Sequence, residues 1–135
     1  MTYYDYNFSR NVSCLLGLTL TKVELNSDKD EIIFEADNGQ SFIMLHVQDC
    51  CEHVSVDDIT GDLADLVGHG PVLIAEEASN ETEPPQGEYP DDSFTWTFYK
   101  IGTVWGTVTI RWYGSSNGYY SEGVDFYETT TKGVE

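Results

Sequence analysis

The chain has 135 residues and a mass of 15.2 kDa, the size of one ordinary domain, and 40% hydrophobic with 13% aromatic residues is too rich for a disordered chain. Against 24 Asp and Glu stand 6 Lys and Arg, a formal net charge of -18 that argues against a general nucleic-acid or anionic-membrane surface, since phosphate contacts need a basic face. No apolar run approaches a membrane span, and Met1-Thr2-Tyr3-Tyr4-Asp5 lacks the basic start of a signal peptide, so the expected compartment is the cytoplasm.

Residues 1–14 begin with Tyr3-Tyr4-Asp5-Tyr6-Asn7-Phe8, aromatic and polar without a period, and read either as a flexible arm or as a segment packed on the domain. From Leu18 to Leu25 apolar and polar side chains alternate, the pattern of a half-buried strand. Turn residues at 26–30 lead to a partner strand, Glu31 to Ala36, and Asp37-Asn38-Gly39 suits a tight hairpin into a third strand, Gln40 to His46. Three such strands make a meander.

Val54 to Ile59 continues extended. Ile59, Leu63, Leu66 and Val67 then recur at spacings of three and four, which predicts one short helix over Asp62 to Val67, stopped by Gly68 and Gly70-Pro71. Pro71 to Ala75 predicts a strand buried on both faces. Residues 76–92, acidic and carrying three prolines, predict a long exposed loop. Phe94 to Tyr99 and Thr103 to Tyr113 carry aromatics, threonines and β-branched residues at period two, the strongest strand signals in the chain. Ser115-Ser116-Asn117-Gly118 predicts a hairpin turn into a returning strand, Tyr119 to Tyr127. The expected architecture is α+β and mainly antiparallel β: one small domain over residues 15–128, a curled sheet or sandwich with one short helix, and a tail at 129–135.

Cysteine usage gives no disulfide framework. Cys14, Cys50 and Cys51 are odd in number, and adjacent cysteines are expected to point apart and stay unbridged.

Several strings stand out together: His46-Val47-Gln48-Asp49-Cys50-Cys51-Glu52, Gly61-Asp62-Leu63, Glu76-Glu77, Trp96-Thr97-Phe98-Tyr99-Lys100, and Thr109-Ile110-Arg111-Trp112-Tyr113-Gly114 with Ser116-Asn117-Gly118-Tyr119-Tyr120-Ser121. By these the chain resembles a family of small uncharacterised acidic proteins encoded by bacteriophages and some bacteria, over roughly Leu15 to Phe126. The resemblance implies a phage or prophage context, an accessory role and the cytoplasm of an infected bacterial host; it supplies no mechanism.

Competing constellations bear on function. His46, Cys50 and His53 are the candidate metal ligands, weakened because neighbouring cysteines cannot easily turn to one ion. The same cysteines near His46 or His53 could form a nucleophile–base pair, but Asp49 and Glu52 favour the neutral thiol. Glu76-Glu77 and Asp57-Asp58 look like acid–base pairs only as composition would produce them, and no Ca²⁺ loop is present. No enzyme, cofactor or resident metal is expected.

Two binding readings remain. Acids spread along the chain, with Asp57, Asp58, Asp62, Asp65, Glu76 and Glu77 as the candidate interaction surface, would steer the molecule toward a host protein with a basic surface. Imitation of the DNA phosphate array and inhibition of a host defence are its specific forms. The alternative is capture of a nucleotide-like small molecule by Trp96, Lys100, Arg111, Tyr113, Asn117 and Tyr119, where rings stack and a guanidinium grips phosphate. A zinc-binding structural protein is the third reading. The leading expectation is a non-enzymatic phage accessory protein acting by binding, without direct contact to nucleic acid or membrane.

Overall fold

Among the described residues the alternation seen in the sequence organises nine strands: β1 (Tyr3–Ser9), β2 (Leu20–Leu25), β3 (Glu31–Ala36), β4 (Ser41–Leu45), β5 (His53–Thr60), β6 (Ile74–Asn80), β7 (Ser93–Gly102), β8 (Thr107–Ser116) and β9 (Asp125–Lys132). The computed structural model describes residues 3–80, 93–118 and 120–132, with side chains described for 10–80, 93–118 and 120–129. The strands form two antiparallel sheets, ordered β1-β9-β4-β3-β2 and β5-β8-β7-β6. The expected meander is β2-β3-β4, and its second turn is built as the sequence suggests. Gly39 adopts φ 91°, open to glycine without strain, and the Asn38 side chain accepts from the Gln40 amide at 2.9 Å.

The core lies between the sheets. Leu20, Val23, Ile32, Phe34, Phe42, Met44 and Phe126 come from the first, and Val54, Val56, Tyr99, Ile101, Val108, Ile110 and Trp112 from the second. Phe126 stacks on Phe42 at 5.6 Å and meets Phe34 edge-on at 5.8 Å. Trp112, fully buried on β8, donates its indole N–H to the Met44 sulfur at 3.3 Å, a polar tie between the two sheets inside an apolar core. Burying each such side chain contributes about 1.5–3 kcal/mol relative to leaving it exposed.

Several expectations give way to the structure. The helix over Asp62 to Val67 is a single 3-10 turn, Leu63–Leu66, whose Ala64 amide is capped by Asp62 at 2.9 Å. Gly61 and Gly68, at φ 103° and 75°, bracket too few residues for an α-helix, and Ile59 belongs to β5. The other short turn, Val12–Leu15, is also 3-10. The acidic stretch at 76–92 is not all loop: Glu76 to Asn80 complete β6, in register with Lys100 to Trp96 of β7, and residues 81–92 lie outside the described residues. Strand pairing overrides the low intrinsic β preference of an acidic run on an outer strand.

The segment at 71–75 is not buried on both faces. Val72 is buried, Leu73 is 54% exposed, and the strand begins only at Ile74. The turn at Ser115 to Gly118 makes no hairpin either. The neighbours of β8 are β5 and β7, and the next strand in the chain is β9 of the first sheet. At the N-terminus, Tyr3–Ser9 pairs with β9, and β9 itself runs through Lys132 into the expected tail. Cys50 and Cys51 are joined in a disulfide, against the expectation that they point apart, because residues 46–52 are a loop between the sheets where strand alternation does not apply. Among the described residues no helix is long and apolar enough to cross a membrane.

Candidate functional site

The outward face of the second sheet follows from register. Trp96 of β7 sits opposite Tyr113 of β8, Phe98 opposite Arg111, and Lys100 opposite Thr109. On the flanks, Asp58 of β5 pairs with Arg111, and Glu76 of β6 pairs with Lys100. The period-two pattern therefore brings Trp96, Lys100, Arg111 and Tyr113, four of the candidate ligand residues, onto one surface. Asn117 lies beyond the end of β8 and is exposed, while Tyr119 lies outside the described residues.

Within that surface the rings form a half-exposed cluster. Trp96 and Tyr113 have centroids 4.6 Å apart, and Phe94 reaches Tyr113 at 6.4 Å. The Arg111 guanidinium lies 5.2 Å from the Trp96 ring centre, a cation–π contact. Asp57, in the bulge of β5, receives both Nε at 2.8 Å and an Nη of Arg111 at 2.5 Å. The guanidinium is thereby oriented across the indole and its charge is countered. Both partners stay more than a third exposed, so the pair positions Arg111 more than it stabilises the fold. Phe98, Lys100, Thr109, Ala78, Glu76 and Glu77 line an adjoining depression of about 490 Å³.

The expected acidic surface is divided. Asp57, Asp58 and Glu76 edge the aromatic face, Asp62 caps the 3-10 turn and Asp65 lies within it, and Glu77 shares a row with Tyr99 on the opposite side of β6. Glu24, Glu31 and Glu35 lie on β2 and β3 of the first sheet, where they alternate with buried residues. Carboxylates thus decorate both sheets.

The candidate metal ligands do not converge. His53 is exposed at the start of β5, whereas the His46 side chain is 3% exposed and turned inward. Its Nδ1 lies 2.7 Å from the Gly123 carbonyl and its Nε2 2.6 Å from Glu52. Cys50 is bonded to Cys51, and among the described residues no group of three or more His, Cys, Asp or Glu could hold a metal ion. Instead the loop wraps one carboxylate. Glu52, its side chain 0% exposed, accepts from His46, from the amides of Asp49 at 2.8 Å and Cys50 at 2.9 Å, and from the Gln48 side chain at 3.3 Å. Burial pushes its carboxyl up, but the hydrogen bonds from His46 and those amides outweigh burial and bring it down to about 2.

Residues 13–126 match a family described as a domain of unknown function, DUF7448. The chain belongs to the DUF7448 family. Strands β2 to β8 of this DUF7448 domain lie wholly within the matched span, as do the aromatic face and the His46–Glu52 loop. No curated protein and no solved structure matches the chain.

Sequence reasoning missed three features of the DUF7448 domain. Glu52 looked like one acid among 24, with nothing to mark it as buried. Asp57 gave no sign of its role as the partner of Arg111. The tip of the β7–β8 hairpin exposes Val104 and Trp105 at 75% and 65%, with His69 stacked on the indole at 4.6 Å.

Proposed function

We propose that the domain is a non-enzymatic binding module that engages a basic protein surface through the outward face of β5-β8-β7-β6. The observation that carries this reading is the Trp96 ring with a guanidinium already held against it, on a face edged by Asp57, Asp58 and Glu76. Half-exposed rings accept arginine and lysine side chains by cation–π stacking, and the carboxylates at the edge pair with those that overhang. The net charge of -18 steers basic partners toward the domain from a distance. Taken with the resemblance to phage and prophage proteins, the partner is a host protein in the cytoplasm of the infected cell, and the role is accessory, of the anti-defence kind. Because the carboxylates decorate both sheets, the reading leans on aromatic contacts at one face, with no need for a DNA-like phosphate array.

The nucleotide-like alternative draws on the same rings, but a phosphate would have to displace Asp57 from Arg111 within a strongly negative field. The test is titration of the full chain with an arginine-rich peptide at low and high salt. Binding that weakens steeply with salt, is lost in Trp96→Ala and Tyr113→Ala and survives Arg111→Ala supports the proposal. Equal binding by the ring variants sinks it.

A further inference from the structure

The inward face of β6 and β7 changes character halfway along. Ala75 and Ile101 pair in the core, but the following inward positions carry Glu77 opposite Tyr99 and Ser79 opposite Thr97, then Thr95 and Ser93. A sandwich that needs only stability fills such positions with apolar side chains, so a polar run there calls for a purpose. At this end β6 and β7 and the chain at 120–124 enclose a cleft of about 450 Å³, lined by Glu77, Ser79, Ser93, Thr95, Thr97 and Glu122 with its neighbours. That volume suits a small molecule.

The lining is built rather than incidental. Glu122 is 7% exposed and accepts from Thr95 Oγ1 at 2.9 Å and Ser116 Oγ at 2.5 Å. Gly114 lets its segment close on β8, since a Cβ there would overlap the Glu122 carbonyl oxygen. Buried carboxylates in folded proteins are normally matched by a cation. Among the described residues none forms an ion pair with Glu122, and no Lys, Arg or His lines the cleft. Beside it the Tyr99 hydroxyl, on a fully buried residue, finds no hydrogen-bond partner at good geometry. Burial and the nearby Glu77 carboxylate hold its proton in place.

We propose that this cleft binds a small organic cation of the diamine or polyamine class. An ammonium group sits against Glu122 as the missing countercharge, Glu77 at the mouth takes a second, and the serine and threonine hydroxyls accept the remaining N–H groups. A metal ion suits the lining poorly, because among the described residues no three acidic or nitrogen ligands gather there. The cleft and the outward aromatic face lie on opposite sides of β7, and Glu77 on the outer strand borders both.

The experiment is calorimetric titration of the full chain with spermidine and with putrescine at physiological salt, where loose attraction to a negative surface is screened. The expected result is one saturable site whose affinity falls at least about tenfold in Glu122→Gln and clearly in Glu77→Gln, the loss typical of a charge-assisted contact. The charge-matched control Glu24→Gln on the first sheet leaves it unchanged. Thermal melts confirm that the variants fold, and Glu77→Gln, at an exposed position, keeps the test valid if Glu122→Gln does not. Many weak sites lost with salt, or equal losses in Glu77→Gln and Glu24→Gln, would overturn the proposal. So would tighter binding of the neutral polyol sorbitol than of spermidine.

Discussion

His46 and Glu52 face one another at 2.6 Å inside the loop joining the two sheets, and the far side of the same imidazole holds the Gly123 carbonyl at 2.7 Å. A carbonyl can only accept, so Nδ1 donates to Gly123 and Nε2 faces the Glu52 carboxylate. One ring therefore ties the β4–β5 crossing to the β8–β9 crossing, next to the wall that carries Glu122.

That relationship sets a pH dependence. The Glu52 carboxyl lies at about 2 in the folded protein against an ordinary 4.5. A group depressed on folding stabilises the native state fully above its unfolded value and loses that contribution as pH falls toward the folded one. Stability from Glu52 is thus expected to disappear between pH 4.5 and about 2. Thermal melts across that window should show a drop in Tm for the native chain. Glu52→Gln should begin with a lower Tm at neutral pH and show a shallower decline. Parallel curves for the two proteins would refute the assignment.

Gly114 permits the close approach of the Glu122 backbone, where a Cβ would collide with atoms that cannot rotate away. Gly114→Ala is expected to cost about 1–3 kcal/mol, the usual penalty for overpacking. Urea denaturation measures it. Gly123→Ala is the control, since the nearest atom a Cβ would meet there is the Ser121 hydroxyl at 3.7 Å; it should cost far less.

Trp112 gives the corresponding test of the core. It fills the space between the sheets and donates to Met44, so Trp112→Ala should cost about 3–5 kcal/mol. Trp112→Phe, which keeps a ring but strands no donor, should cost less than half of that. A small effect from the alanine variant would mean that the sheets do not close over this residue.

How far these features were legible depends on which forces are local. The β2-β3-β4 meander was readable because alternation and the Asn38-Gly39 turn act within a few residues. The gathering of Trp96, Arg111 and Tyr113 was readable for the same reason: a two-residue period fixes who shares a face. The helix failed because Ile59 to Val67 shows helical spacing while Gly61 breaks the chain inside it. Glu76 to Asn80 failed because composition describes solvent exposure, whereas the strand is made by partners on β7 distant in sequence. The Glu52 cage closes within one loop but is made of backbone amides and a His46 ring fixed by Gly123, and the Glu122 cleft needs β7 beside a distant crossing; no side-chain pattern encodes either.

The Asp57–Arg111 pair separates the two readings of the outward face. In the native protein Asp57 holds the guanidinium and adds a negative charge to the edge of the ring cluster. Asp57→Asn releases that hold and removes the charge. As an exposed pair it contributes at most about 1 kcal/mol, so Tm should barely move. A basic peptide that docks on the rings then binds more weakly, because one of its countercharges is gone. A nucleotide-like anion would instead bind more tightly, because Arg111 no longer has a carboxylate to give up. Titrating Asp57→Asn and the native chain with an arginine-rich peptide and with AMP reads opposite signs for the two partners. The basic-partner reading requires the peptide affinity to fall; a gain in AMP binding with no change in peptide binding would transfer the site to the anion.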